Sequence, residues 1–271
     1  MPAINTNISA LKAQTALASN SRAMNSAMEK LSTGNRVNSA KDDAAGLAIG
    51  TTMTSQIRGL NQAVRNANDG VNLLQTAEGA MVEQTNMLQR MRELAVQSVN
   101  ATNSDSQRAY LNTEFEELTS QISAIGTQTK WNTTTVLASA TLTFQVGVSS
   151  DTTFTVAIAD TTTGTAGLAI DALAISTNTG ASSALATLDA ALDTVNGQRA
   201  QLGATMNRLT YTADNLSNIS SNLAASRSNI MDTEYATASS DLSRSQIIQQ
   251  AATAMLAQAN QQPQSVLALL K

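Results

Sequence analysis

The 271-residue sequence has no cysteine and no histidine, two prolines, and aromatic residues at only 3% of positions. Without cysteine no disulfide framework is possible, and the usual zinc ligands are missing altogether. The prolines, Pro2 and Pro263, leave almost the whole chain free to form long helices, because an interior proline removes a donor and clashes with the preceding turn. Charge is also sparse, at 13% of residues with a net of −4. Lys and Arg are scattered, with few aromatics to stack on bases, which argues against nucleic acid as a partner. No apolar run reaches the roughly 18 residues of a membrane span. The opening "MPAINTNISALKAQTALASN" lacks the charged start, apolar centre and cleavage site of a secretory signal. Neither a metal site nor a cofactor is expected.

What is abundant is Ala, Leu, Ile, Val and Met in seams of alternating three- and four-residue steps. One seam runs Ile57, Leu60, Val64, Ala67, Val71, Leu74, Met81, Leu88, Ala95 and Val99, with Glu78, Thr85 and Arg92 as polar breaks. A repeat that long predicts a coiled-coil-like helix. After "NATNSDSQ" a second helix reads Leu111, Phe115, Leu118, Ile122, Ile125, and a third starts near Ser182 with Leu185, Leu188, Leu192, Val195, Leu202, Met206 and Leu209. Three seamed helices close on each other as an elongated antiparallel bundle. Between them, Leu142, Phe144, Val146 and Val148, then Phe154, Val156 and Ile158, alternate with polar residues around "SSDTT". Period two about a polar turn predicts a β-hairpin. The Thr-, Ser- and Gly-rich segment that follows reads as a short surface excursion with room for one more strand. The fold expected is therefore mainly α: a helical bundle, a small hairpin region and helices at both ends.

Those end helices are apolar. Ile4, Ile8 and Leu11 form one stripe, continued with a shift by Leu17, Met24, Met28 and Leu31; Ile248, Ala252, Met255, Ala259, Val266 and Leu269 form another. Pro263 should kink or break the last helix. Either the two ends pack on each other or on the bundle, or other copies of the chain cover them. Ordering backbone costs about 1–2 kcal/mol per residue. Small Ala, Ser, Gln and Asn side chains recover little of that at roughly 25 cal/mol per Å². The balance favours helices that are marginal alone and fold on association.

Four stretches, "INTNISALKAQ", "LSTGNRVNSAKDDAAGLAIG" (31–50), "LQRMRELAVQSVN" (88–100) and "AMLAQANQQPQSVLALLK", resemble the bacterial flagellins, over about 1–135 and 182–271. The resemblance implies an inner layer from 1–32 and 227–271, a connecting spoke at 33–56, outer bundle helices at 57–130 and 182–226, and a short solvent-facing segment at 131–181. It implies a filament of many copies, outside the cell, exported by the flagellar type III route without a cleaved signal. Implied partners are an export chaperone, a filament cap, hook-associated junction proteins and the Toll-like flagellin receptor of animal hosts. Three departures bear on local geometry: Asn35 and Gly50 in the spoke, and the absence of glycine after Asn132.

Three groups are candidate functional residues. Asp42 and Asp43 read as a solvated helix-start pair or cap; the resemblance points to subunit contacts. Gln89, Arg90, Arg92, Glu93 and Leu94 read as helix-surface ion pairs worth about 0.2–0.5 kcal/mol each; the resemblance makes Gln89, Arg90, Leu94 and Glu114 receptor contacts. Ile248, Met255, Leu256, Val266, Leu269 and Leu270 read as packing against the N-terminal helix, and by resemblance also as assembly contacts. The rival within this class is a hook–filament junction protein, against which the last 18 residues argue. An inserted zinc metallopeptidase needs paired histidines, and there are none.

Overall fold

Capping side chains set where the helices begin. Asn7 opens the first helix, its Oδ1 accepting from Ala10 N at 3.0 Å. Ser104 and Gln107 exchange side-chain and backbone bonds in a capping box, which satisfies two donors that a helix start leaves free. Gly34 ends the first helix in the left-handed region, at φ 73°, with its N–H on Lys30 O; glycine carries no Cβ penalty there.

The computed structural model describes residues 6–165 and 167–269. In chain order the elements are α1 (Ile8–Thr33), α2 (Ala44–Val99), α3 (Asp105–Gln128), β1 (Lys130–Trp131), β2 (Thr134–Thr135), β3 (Ala140–Gln145), β4 (Thr153–Ile158), α4 (Asn178–Met231) and α5 (Tyr235–Leu269). α2 reaches back to Ala44, so the latter half of segment 33–56 is helical. α5 runs unbroken through Pro263, although a break was one of the outcomes that residue suggested. The expectations for Ile4 and Leu270, and for the side chains of Val266 and Leu269, lie outside the described residues.

The chain divides into two compact units, one from Arg58 to Ser220, the other from the segments on either side. In the Arg58–Ser220 unit the three expected seams share one core. Leu74, Met81, Leu88 and Met91 of α2 meet Phe115 and Ile122 of α3 and Leu188, Val195, Leu202 and Leu209 of α4, all fully buried. Two polar breaks in the α2 seam are where α4 reaches across: Arg92 Nε pairs with Asp189 at 2.7 Å, and Glu78 with Arg199 at 3.8 Å. The third, Thr85, turns its hydroxyl to Met81 O at 2.8 Å. A buried cation that the seams do not announce, Arg108, donates to Ser98 O, Asn100 O and Asn103 O at 2.9–3.2 Å. It occupies the negative end of α2, where a helix dipole favours positive charge.

The hairpin forms as expected. β3 and β4 are antiparallel, with Leu142 opposite Val156 and Phe144 opposite Phe154. A smaller hairpin, β1–β2, turns on Asn132 and Thr133, both at positive φ (43° and 77°). That is the geometry for which glycine is favoured at the second turn position, so the missing glycine leaves a β-branched residue under strain.

The segment after β4 corrects an expectation. It adds no strand among the described residues, and it is not a surface excursion: Leu168, Ile170 and Ile175 are buried, as are Thr161 and Thr163. Helix side chains satisfy its backbone. Gln84 Nε2 donates to Thr161 O at 3.1 Å, Ser98 Oγ to Ile175 O at 2.5 Å, and Ile175 N donates to Asn112 Oδ1 at 2.8 Å. Irregular backbone is tolerated in a core only when its polar groups are paired in this way.

Candidate functional site

In the second unit α1 and α5 pair antiparallel through a seam that the burial pattern defines. Ala10, Ala13, Leu17, Asn20, Met24, Ala27 and Leu31 face inward from α1, and Ala238, Leu242, Ser245, Gln249, Ala252, Leu256 and Ala259 from α5, in regular three- and four-residue steps. Small residues dominate the seam, so the helices approach closely while burying little. Leu17, Met24, Leu31, Leu242 and Leu256 are half-buried in the seam, but a second set of large apolar side chains lies outside it: Ile8 is 57% exposed, Leu11 59%, Ile247 67% and Met255 66%, with Met28 and Ile248 at 45%. Of the assembly candidates on α5, Leu256 is therefore half-buried in the pair, while Ile248 and Met255 point out of it. The shift between the Ile8–Leu11 stripe and the Leu17–Met24–Leu31 stripe marks two distinct faces of α1, and Ile247 belongs to the outward set although it was not among the candidates.

The turn joining α1 to α2 is held to the end of α4. Arg36 N donates to Met231 O at 2.6 Å, Arg36 Nη2 to Ile230 O at 2.8 Å, and Thr233 N to Gly34 O at 2.9 Å. Asp42 Oδ2 accepts from Ser39 Oγ at 2.9 Å, Ser39 N at 3.0 Å and Asn38 N at 3.3 Å. The Ser39 hydroxyl bond, foremost, holds its carboxyl below the usual range. Asp43 Oδ1 accepts from Gly46 N at 2.8 Å, at the first turn of α2. Both carboxylates are exposed and adjacent, and each shapes the local backbone. Gly50 accommodates Met231: a Cβ at position 50 would lie 2.5 Å from Met231 Sδ. Beside this turn, an open groove of about 830 Å³ is lined by Lys30, Arg36, Asp232, Asp241, Arg244 and Ile248 among others, a mixture of both charges and apolar surface.

On the Arg58–Ser220 unit, Arg90 bridges two helices. Its Nε donates to Glu114 Oε1 at 2.9 Å and its Nη1 to Glu93 Oε2 at 3.0 Å. Those bonds, Glu114 first, raise the pKa of a guanidinium that is already charged at any working pH. Gln89, Arg90 and Glu114 are exposed. Leu94 is not brought to the same surface: it is 1% exposed and belongs to the core. The seam explains this, because Leu94 stands three residues after Met91 and six after Leu88, on their inward face.

No helix among the described residues is long and apolar enough to cross a membrane. The arrangement is that of a helical subunit whose core is complete in one unit while its terminal pair turns large apolar side chains outward. Such a chain is built to be completed by others. The bacterial flagellin N-terminal helical region matches residues 4–141, and the bacterial flagellin C-terminal helical region matches residues 185–270. The chain is 46% identical to a flagellin of Halalkalibacterium halodurans over 270 residues, covering 99% of each. A crystal structure of Bacillus cereus flagellin is similar at 30% identity and a TM-score of 0.51, over 60% of this chain and 94% of that one. A putative flagellar hook-associated protein from Vibrio parahaemolyticus shares the fold, at 14% identity and a TM-score of 0.58, over 70% of this chain and all of that one. The chain belongs to the flagellin family, the structural, non-enzymatic subunits of the extracellular flagellar filament, which is a polymer of many copies.

Proposed function

We propose that this subunit joins the filament by covering the outward apolar faces of α1 and α5 with the same faces of neighbouring copies. The observation that carries this reading is the second apolar face of the terminal pair: beyond a seam in which small and polar side chains predominate, Ile8, Leu11, Ile247 and Met255 stand outside. Burying what those side chains still expose contributes roughly 1–2 kcal/mol each, which helps offset the ordering cost that a lone pair of small-residue helices meets poorly. In this scheme 1–32 and 227–271 form the inner layer, 33–56 the spoke, and 57–130 with 182–226 the outer layer, with 131–181 on the solvent side of that layer although Leu168, Ile170 and Ile175 are packed into its core. Asp42 and Asp43 present paired negative charge at the spoke for a neighbour's cations. An export chaperone engages the C-terminal helix before assembly, and a cap and junction proteins meet the filament ends.

The test is growth of sheared filament seeds by purified monomer, followed by electron microscopy with far-ultraviolet circular dichroism. Long filaments with rising helix content support the proposal. Seeds that are capped without elongating identify a junction protein instead, and helical monomers that ignore the seeds refute it.

The exposed Gln89, Arg90 and Glu114 also form the face offered to the Toll-like flagellin receptor. Arg90→Ala removes both ion pairs without entering the core, so receptor signalling should fall while the unfolding midpoint of the monomer stays put. Undiminished signalling from this variant sinks the receptor assignment.

A further inference from the structure

Asn7 makes two bonds with one amide. Its Oδ1 caps α1 at Ala10 N, and its Nδ2 donates to Ala259 O of α5 at 2.8 Å. In an α-helix the carbonyl of residue 259 accepts from the N–H of residue 263. Residue 263 is Pro263 and has no N–H. It is the sole proline in α5, so α5 carries one interior carbonyl that lacks its helical donor, and Asn7 supplies a donor at that carbonyl. We infer that Asn7 and Pro263 are a matched pair that sets the register of the terminal helices: proline marks one position on α5 and asparagine recognises it.

The seam needs such a device. Ala10, Ala13 and Ala27 facing Ala238, Ala252 and Ala259 discriminate weakly between the correct alignment and one slipped by a heptad, because small residues fit almost any hole, and the larger Leu17, Met24, Leu31, Leu242 and Leu256 are only half-buried and recur at heptad spacing. A buried polar partner is the attested means of selecting register in helical pairs. One further rung agrees with the alignment: Asn20 Nδ2 donates to Ser245 O at 2.8 Å and Gln249 Oε1 at 3.2 Å. Thirteen residues separate Asn7 from Asn20 and fourteen separate Ser245 from Ala259, nearly equal lengths on two antiparallel helices at 1.5 Å per residue. A heptad slip moves Asn7 by about 10 Å along α5 and leaves the carbonyl at 259 without it.

This inference rests on the terminal helices being the assembly elements, and the experiment separates the two. Asn7→Ser keeps an N-cap acceptor of equal quality but cannot reach Ala259, whereas Pro263→Ala restores the helical donor. Seeded elongation should fall about threefold to tenfold in Asn7→Ser, the range for one lost hydrogen bond. The same substitution in the Pro263→Ala background should change little. Equal penalties in both backgrounds, or none in either, overturn the pairing. Should any of these variants fail to elongate, the cysteine-free chain gives a second readout. Midway between the rungs Ala13 stands opposite Ala252, so the double variant Ala13→Cys/Ala252→Cys should cross-link within the chain. Adding Asn7→Ser should shift cross-linking toward the heptad-slipped pairs Ala13→Cys/Ala259→Cys and Ala13→Cys/Ser245→Cys; an unshifted pattern also overturns it. Elongation by a chain lacking 255–271 would instead remove the assembly reading itself.

Discussion

The bundle and the terminal pair share one periodicity and use it in opposite ways. In the bundle the seam holds Leu, Met, Ile and Phe, and the large side chains are buried within the chain. In the terminal pair the seam holds mostly Ala, Ser, Asn and Gln with a few half-buried Leu and Met, and a second set of large apolar side chains faces out. Periodicity therefore says that a helix has a partner. The size of the residues on each face says whether that partner completes the burial or leaves it to another molecule.

The comparison is broken most severely by removing 255–271. Elongation from seeds should be abolished, while the far-ultraviolet signal and unfolding transition of the Arg58–Ser220 bundle persist; loss of the bundle transition would show that the two regions are not separable. Next in size, Leu94→Ala should lower bundle stability by about 2–5 kcal/mol in denaturant unfolding, the range for a buried leucine. The contrasting Ile247→Ser should leave that transition within about 0.5 kcal/mol and still slow elongation. A smaller effect is expected at Asp42. Its folded pKa lies below the ordinary 3.8, so the carboxylate stabilises the turn fully above that value, and the contribution is lost as pH falls through the lower folded pKa. The stability gap between the native chain and Asp42→Asn should thus be widest near neutral pH and close in acid; a gap that widens in acid contradicts the assignment. Smallest is Thr133→Gly, which relieves the left-handed strain at φ 77° and should raise bundle stability by up to about 1 kcal/mol, read as a higher unfolding midpoint.

The helices, the Leu142–Val156 hairpin and the apolar ends were legible in the sequence, because each rests on local periodicity, and period 3.5 or 2 survives without knowledge of distant neighbours. The long matches at 31–50 and 88–100 carried the family in the same way. What lay beyond the sequence depended on residues remote along the chain. The segment carrying Leu168, Ile170 and Ile175 looked solvated, because its composition hides that Gln84, Ser98 and Asn112 satisfy its backbone from three helix positions. Leu94 looked like part of a surface motif until packing against the Leu88 and Met91 face placed it in the core. Pro263 read as a kink or a break, and only the antiparallel pairing brings Asn7 to the carbonyl it leaves without a helical donor. Sequence by itself determined where the long helices run, though not that α2 begins as early as Ala44, and that the ends carry apolar surface beyond one seam, since those follow from side-chain spacing and size. Tertiary structure decided which face of each helix is covered and where each lone polar group finds its match, since those depend on contacts between residues far apart in the chain.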